Sequence, residues 1–187
     1  MVHFVGAGPG APDLITVRGK QYLEEADVVI YAGSLVNPKL LEYTKDICTI
    51  YNSAKMTLEE VIHVIEKAEA EGKTTVRLHT GDPCIYGAIR EQMDILDEKN
   101  IAYDYCPGVS AFCGAASALN LEYTLPDISQ SVIITRMEGR TPVPGMRVNE
   151  SWQQSAKGKH SVLCRSSGNY GCFSQYRNAG RTEQTSY

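Results

Sequence analysis

From residue 2 to about 136, short runs of apolar and often β-branched residues alternate with longer amphipathic stretches. That alternation predicts an α/β fold, a mostly parallel sheet flanked by helices, because parallel neighbours need crossovers and helices usually supply them. Strands are predicted at 2–5, 27–31, 47–51, 74–78, 102–106 and 131–135. The clearest helix is 57–71, where Leu58, Val61, Ile62, Ile65 and Ala68 recur at helical spacing while His63, Glu66 and Lys67 fall on the other face. Thr57 and Glu60, three apart at its start, have the spacing of a capping box. Further helices are expected at 16–26, 89–98 and 110–119, and no internal repeat is visible.

The character changes beyond Pro144. Between 151 and 187, Val162, Leu163 and Phe173 are the only Val, Ile, Leu or Phe residues, too few to offset the entropy of ordering that length of chain. The expected organisation is therefore an N-terminal α/β domain over 1–136, a linker and the start of a second domain over 137–150, and an atypical tail over 151–187. That tail is expected to be disordered or read out of frame.

The overall charge of −4 hides an asymmetry. Residues 151–187 hold five Lys/Arg against Glu183 alone, a balance of +4, which leaves −8 on the first 150 residues. An acidic body argues against nucleic acid as a partner, since binding phosphates needs clustered basic surface. No apolar run approaches membrane-spanning length and no signal-like start is present, so the expectation is a cytoplasmic protein without membrane contact. Six cysteines (Cys48, Cys84, Cys106, Cys113, Cys164, Cys172) include no C-x-x-C pair, which predicts reduced, mostly buried thiols and no metal site.

Four segments carry candidate chemistry. Gly6-Ala7-Gly8-Pro9-Gly10-Ala11-Pro12-Asp13 follows the first strand, and its glycines let backbone approach a ligand. As G-x-G-x-x-A it also fits a dinucleotide fingerprint, but the second strand runs into Ala32-Gly33 rather than a carboxylate. Pro9 and Pro12 also delay the next helix to Thr16, away from where a pyrophosphate would sit. His79-Thr80-Gly81-Asp82-Pro83-Cys84-Ile85-Tyr86-Gly87 follows the fourth strand. Its Asp82 offers acceptors for an amino group or a ribose, although Gly-Asp-Pro is also a common turn. Cys106-Pro107-Gly108-Val109-Ser110-Ala111 is again strand, turn and helix; Ser110 is explained equally well by helix capping. Thr135-Arg136-Met137-Glu138-Gly139-Arg140-Thr141-Pro142 leaves the sixth strand with two arginines suited to an anionic ligand, or to a solvated connector.

Taken in order, the four segments resemble the tetrapyrrole (corrin/porphyrin) methylase family over residues 2–148. The runs 79–87 and 135–142 look like its precorrin-4 or cobalt-precorrin-4 C-11 methyltransferase branch. The resemblance implies two α/β domains, S-adenosylmethionine as methyl donor, a tetrapyrrole substrate, a place in cobalamin biosynthesis and a homodimer. It assigns the donor pocket to Pro9, Thr80, Gly81, Asp82, Ile85, Tyr86, Ser110 and Ala111. The acceptor, a ring bearing many carboxylates, would be drawn by Arg136 and Arg140, with Arg18 and Arg90 as further cationic candidates. His79 is the candidate for ring contact or proton handling, beside an equally plain reading as a structural histidine. The uroporphyrinogen branch carries Tyr-Asp after its second strand where this chain has Tyr31-Ala32, so no base is carried over from there. Two alternatives stand beside this reading: a nicotinamide-dependent Rossmann-type reductase, and a truncated, catalytically incompetent family member.

Overall fold

Every residue of β1 (Val2–Gly6) and β4 (Thr75–His79) is buried, as strands covered by helices on both faces require. The structure, a computed structural model, describes residues 1–126, 131–136, 162–166 and 170–173. The chain divides into two compact units, Met1–Gly114 and Ala115–Tyr187.

The first unit is built on five parallel strands. With β2 (Val28–Tyr31), β3 (Thr49–Asn52) and β5 (Tyr103–Cys106), the sheet order is β3-β2-β4-β1-β5. Its helices are α1 (Val17–Glu25), α2 (Leu58–Ala70) and α3 (Arg90–Glu98), while α4 (Ala111–Leu119) begins in it and runs past its last residue, Gly114; each lies within two residues of its predicted span. Side-chain alternation sorts the strands into two cores. Val5, Val29, Val76 and Leu78 pack with Leu23 of α1 and with Val36 and Leu40, whereas Val2, Phe4, Val28 and Ile30 pack with Val61, Ile62 and Ile65 of α2 and Leu96 of α3. The Thr57–Glu60 capping box is formed, with both reciprocal bonds in place.

This strand order decides where a ligand can sit. The connection leaving β1 passes β4 to reach β2, and the one leaving β4 passes β1 in the opposite direction to reach β5. The carboxyl ends of the neighbouring strands β1 and β4 are therefore a topological switch point, the place where an open α/β sheet forms a crevice.

Three expectations change. The sixth predicted strand, β6 (Val132–Arg136), does not extend the first sheet; it belongs to a second sheet, parallel to β7 (Val162–Ser166), which pairs antiparallel with β8 (Tyr170–Phe173). Hydrophobic pattern announces a strand but not its partner. Strands β7 and β8 also stand inside the 151–187 segment, on the stretches that hold its few apolar residues, Val162, Leu163 and Phe173. Finally, of the four cysteines whose side chains the structure describes (Cys48, Cys84, Cys106 and Cys113) only Cys106 is buried; Cys84 and Cys113 are exposed, and all four are free thiols.

Replacing Thr57 by Ala removes an acceptor for the Glu60 N–H and should cost about 1 kcal/mol. In a chain of this size that lowers Tm by roughly 2–4 °C. An unchanged Tm would mean that α2 does not depend on its cap.

Candidate functional site

Backbone contacts bring three predicted turns together at the switch point. The Ala7 N–H donates to the His79 carbonyl at 2.7 Å, and Gly8 and Gly81 exchange both N–H···O bonds, at 3.2 and 2.9 Å. The turn after β5 closes on them from the other side. A side chain at Gly6 would meet Gly108 N at 2.5 Å and Gly81 O at 2.7 Å, so three glycines touch where no Cβ fits. Gly81 itself has φ of 58° and faces Ser110 and the Ala111 N–H at the start of α4. Pro9 packs on α4, where a side chain at Gly114 would come within 2.6 Å of Pro9 Cγ.

Pro9, Thr80, Gly81, Asp82, Ser110 and Ala111 are thus brought to one place by folding. Ile85 and Tyr86, 37% and 54% exposed, continue the same turn and set apolar surface beside a polar backbone. Such a mixture suits a nucleoside-like ligand, which needs both hydrogen bonds and a face to lie against. The Ser110 carbonyl accepts the Gly114 N–H as α4 begins.

Asp82 is the clasp of this arrangement. Its Oδ2 accepts the Gly108 N–H at 3.1 Å, and its Oδ1 accepts the Cys84 N–H at 2.9 Å together with the Tyr105 hydroxyl. Burial alone would raise the carboxyl pKa, but these donors outweigh it and hold Asp82 below the ordinary carboxylate value. The same contact, with burial leading, pushes the Tyr105 hydroxyl well up, so it remains a donor. Three donors already fill most of the four or so acceptor positions of a carboxylate. The side chain that the sequence offers as a ligand acceptor is therefore mainly engaged in tying the β4 turn to β5 and its turn.

His79 sits beneath that turn rather than in its mouth. It is 4% exposed, shares the α2/α3 face of the sheet with Phe4, and its Nε2 has no hydrogen-bond partner among the described residues. Burial first, then the nearby Arg77 guanidinium, pushes its pKa down to about 3, which leaves the ring neutral at physiological pH.

The cationic candidates separate. Arg18 is exposed on α1; Arg90, also exposed, is paired with Asp94 and lies 4.0 Å from Asp97. Arg136 closes β6 with its backbone alone described, and Arg140 lies outside the described residues. Reading the sequence misses several contributors. Tyr105 looks like an ordinary strand aromatic, and Gly114 like a helix interior. Asn37 donates from Nδ2 to the Gly10 carbonyl at 2.7 Å, holding the first turn from 27 residues away. None carries a local signal, because each partnership is made by tertiary contact alone.

A buried neutral histidine has a measurable consequence. Its folded-state pKa lies below its ordinary 6.5, so stability is lost as pH falls from about 6.5 towards 3, where the unfolded chain takes up the proton first. In His79→Gln that part of the acid slope should vanish from equilibrium unfolding measured across this range. An identical slope in both proteins would contradict the assigned burial.

The model of the Tetrapyrrole (Corrin/Porphyrin) Methylases matches residues 1–175, further along the chain than the motifs by themselves reach. A cobalt-precorrin-4 C(11)-methyltransferase of Methanocaldococcus jannaschii is 62% identical over 143 residues, 76% of this chain and 55% of that protein. The chain thus spans about half the length of that curated relative. The X-ray structure of a cobalt precorrin-4 methyltransferase superposes with a TM-score of 0.78 at 43% identity, covering 87% of this chain and 67% of the other. Uroporphyrin-III C-methyltransferase from Thermus thermophilus, solved in complex with S-adenosylhomocysteine, gives a TM-score of 0.59 at 29% identity, covering 72% and 58%. The chain belongs to the tetrapyrrole (corrin/porphyrin) methylase family.

Proposed function

We propose that this chain is an S-adenosylmethionine-dependent C-methyltransferase acting on C-11 of precorrin-4 or cobalt-precorrin-4 in cobalamin biosynthesis. The observation that carries the reading is the convergence of the turns after β1, β4 and β5 on one crevice at the switch point, clasped by Asp82. The 62% identity to a protein named for that reaction supports the choice of substrate. The crevice also fits the donor on its own chemistry: close-packed glycine backbone, free of side chains, stands next to the exposed Ile85 and Tyr86.

When bound, S-adenosylmethionine supplies a methyl group already activated on a sulfonium, so transfer to carbon needs no metal. What the protein adds is alignment. Pro9, Thr80, Gly81, Ser110 and Ala111 would line the donor pocket with rigid backbone, and Asp82 would act by keeping two of its walls at a fixed spacing. Holding two reactants in near-attack geometry supplies on the order of 7–11 kcal/mol of a barrier. Arg136 and Arg140 would face the carboxylates of the tetrapyrrole. His79, buried and neutral, supports the turn from below and carries no proton to the substrate at neutral pH. A homodimer is the assembly that the family resemblance implies, a cytoplasmic location is the expectation from the sequence pattern, and the −8 charge of the first 150 residues disfavours a nucleic-acid partner.

The nicotinamide-dependent alternative lacks its structural requirements. The helix after the glycine turn starts at Val17, not at the turn, and Ala32-Gly33 follow β2 where a ribose-binding acid would stand.

Calorimetric titration with S-adenosylhomocysteine should give binding to the wild type and about tenfold weaker binding to Asp82→Ala, the scale of losing a charged clasp. NADH should not bind. Equal affinity in both proteins, or a preference for NADH, would remove the assignment.

A further inference from the structure

The last part of the β4–α3 connection is held in an unusual conformation. Tyr86 and Ala88 have φ of 59° and 50°, left-handed values that cost a non-glycine residue energy. Gly87 between them lies against Pro83, where a side chain would come within 2.8 Å of the Pro83 Cα. Something must hold this turn, and α3 gives it no ordinary cap: its N-cap residue is Ile89, which makes no side-chain cap hydrogen bond.

Gln92 stands at the third position of α3 and is 5% exposed. Its Oε1 accepts from Arg77 Nε at 3.0 Å, and its Nε2 donates to the Ala88 carbonyl at 3.0 Å. Arg77 is fixed in turn by its Nη1, which donates to the Ile30 carbonyl at 3.0 Å. Because a guanidinium is donor only, the amide has one workable orientation; flipped, it would set donor against donor and oxygen against the Ala88 oxygen. In α2 the side chain at the corresponding position, Glu60, accepts from the N-cap N–H. Here it donates to a carbonyl lying before the helix, so it serves the turn and not the helix end.

The residue type matters for a second reason. Arg77 is buried, and no carboxylate among the described residues pairs with it. Buried charge normally calls for a counter-charge. A glutamate at 92 would provide one, but it would also place a carboxylate against the Ala88 carbonyl. The amide leaves the charge unpaired and keeps the donor.

We propose that Gln92, oriented by Arg77, is a positioning residue for the methyl-donor site: its hold on the Ala88 carbonyl fixes the left-handed turn that presents Ile85 and Tyr86. The link to donor binding rests on the function proposed above; the hold on the turn does not.

Gln92→Glu in the full chain separates the two roles of this side chain. It keeps the acceptor for Arg77 and adds the missing charge, so Tm should equal or exceed that of the wild type. Loss of the donor should nevertheless speed hydrogen exchange at the Cys84 and Ile85 amides and weaken S-adenosylhomocysteine binding about tenfold. Gln92→Met, which loses both contacts, should lower Tm as well. Wild-type exchange and affinity in Gln92→Glu would overturn the proposal. If the wild type itself fails to bind S-adenosylhomocysteine, the pocket reading falls, while the exchange comparison still decides the role of Gln92. Ala88→Gly tests the strain without touching the core. It should raise Tm, since glycine adopts φ of 50° freely. A lower Tm would show that the turn needs no holding.

Discussion

One carboxylate joins two turns that the chain separates by more than twenty residues. Asp82 takes the Gly108 N–H on one oxygen and the Tyr105 hydroxyl and Cys84 N–H on the other. The bond to Gly108 can form only because Gly6, Gly81 and Gly108 let three backbones meet without intervening side chains. These features depend on each other. Without the close approach the carboxylate would not reach Gly108, and without the carboxylate the Gly108 N–H would lose its acceptor. The convergence of the turns at the switch point follows from both.

The opposite side of β4 is governed by desolvation. Arg77 and His79 lie on its α2/α3 face, where burial lowers Arg77 to about 10 and His79 to about 3. Arg77 remains charged at neutral pH and spends that charge on a carbonyl and an amide, whereas His79 gives its charge up. The same strand therefore carries two kinds of support for the turn above it: a hydrogen-bond chain through Gln92 to Ala88, and a neutral ring packed near Phe4. Both supports lie below the turn and are made entirely by the protein's own groups.

How much of this is legible in the sequence depends on whether a feature is local. Strand and helix positions, the Thr57–Glu60 capping box and the delayed start of α1 behind Pro9 and Pro12 all follow from periodicity and turn chemistry, and the structure has them. The glycine turns are readable as sites of close approach, though not their mutual contact. Strand pairing is not local, so β6 reads as one more strand of the first sheet when its partner is β7. Nor is the use of a side chain. Asp82 reads as an acceptor for a ligand, yet the protein occupies most of its acceptor capacity, and Tyr105, Asn37 and Gln92 show no motif at all. Over 151–187 the sparse apolar residues fall together on two short strands, a placement that mean composition does not give.

The central claim is that the turns after β1, β4 and β5 form one ligand site. Amide chemical-shift mapping during titration with S-adenosylhomocysteine tests it directly. The account predicts that the largest shifts cluster at Gly8, Gly10, Thr80, Gly81, Gly108 and Ala111 and saturate with a single dissociation constant. Shifts confined to one of the three turns, or centred on the α2 side of the sheet, would contradict it.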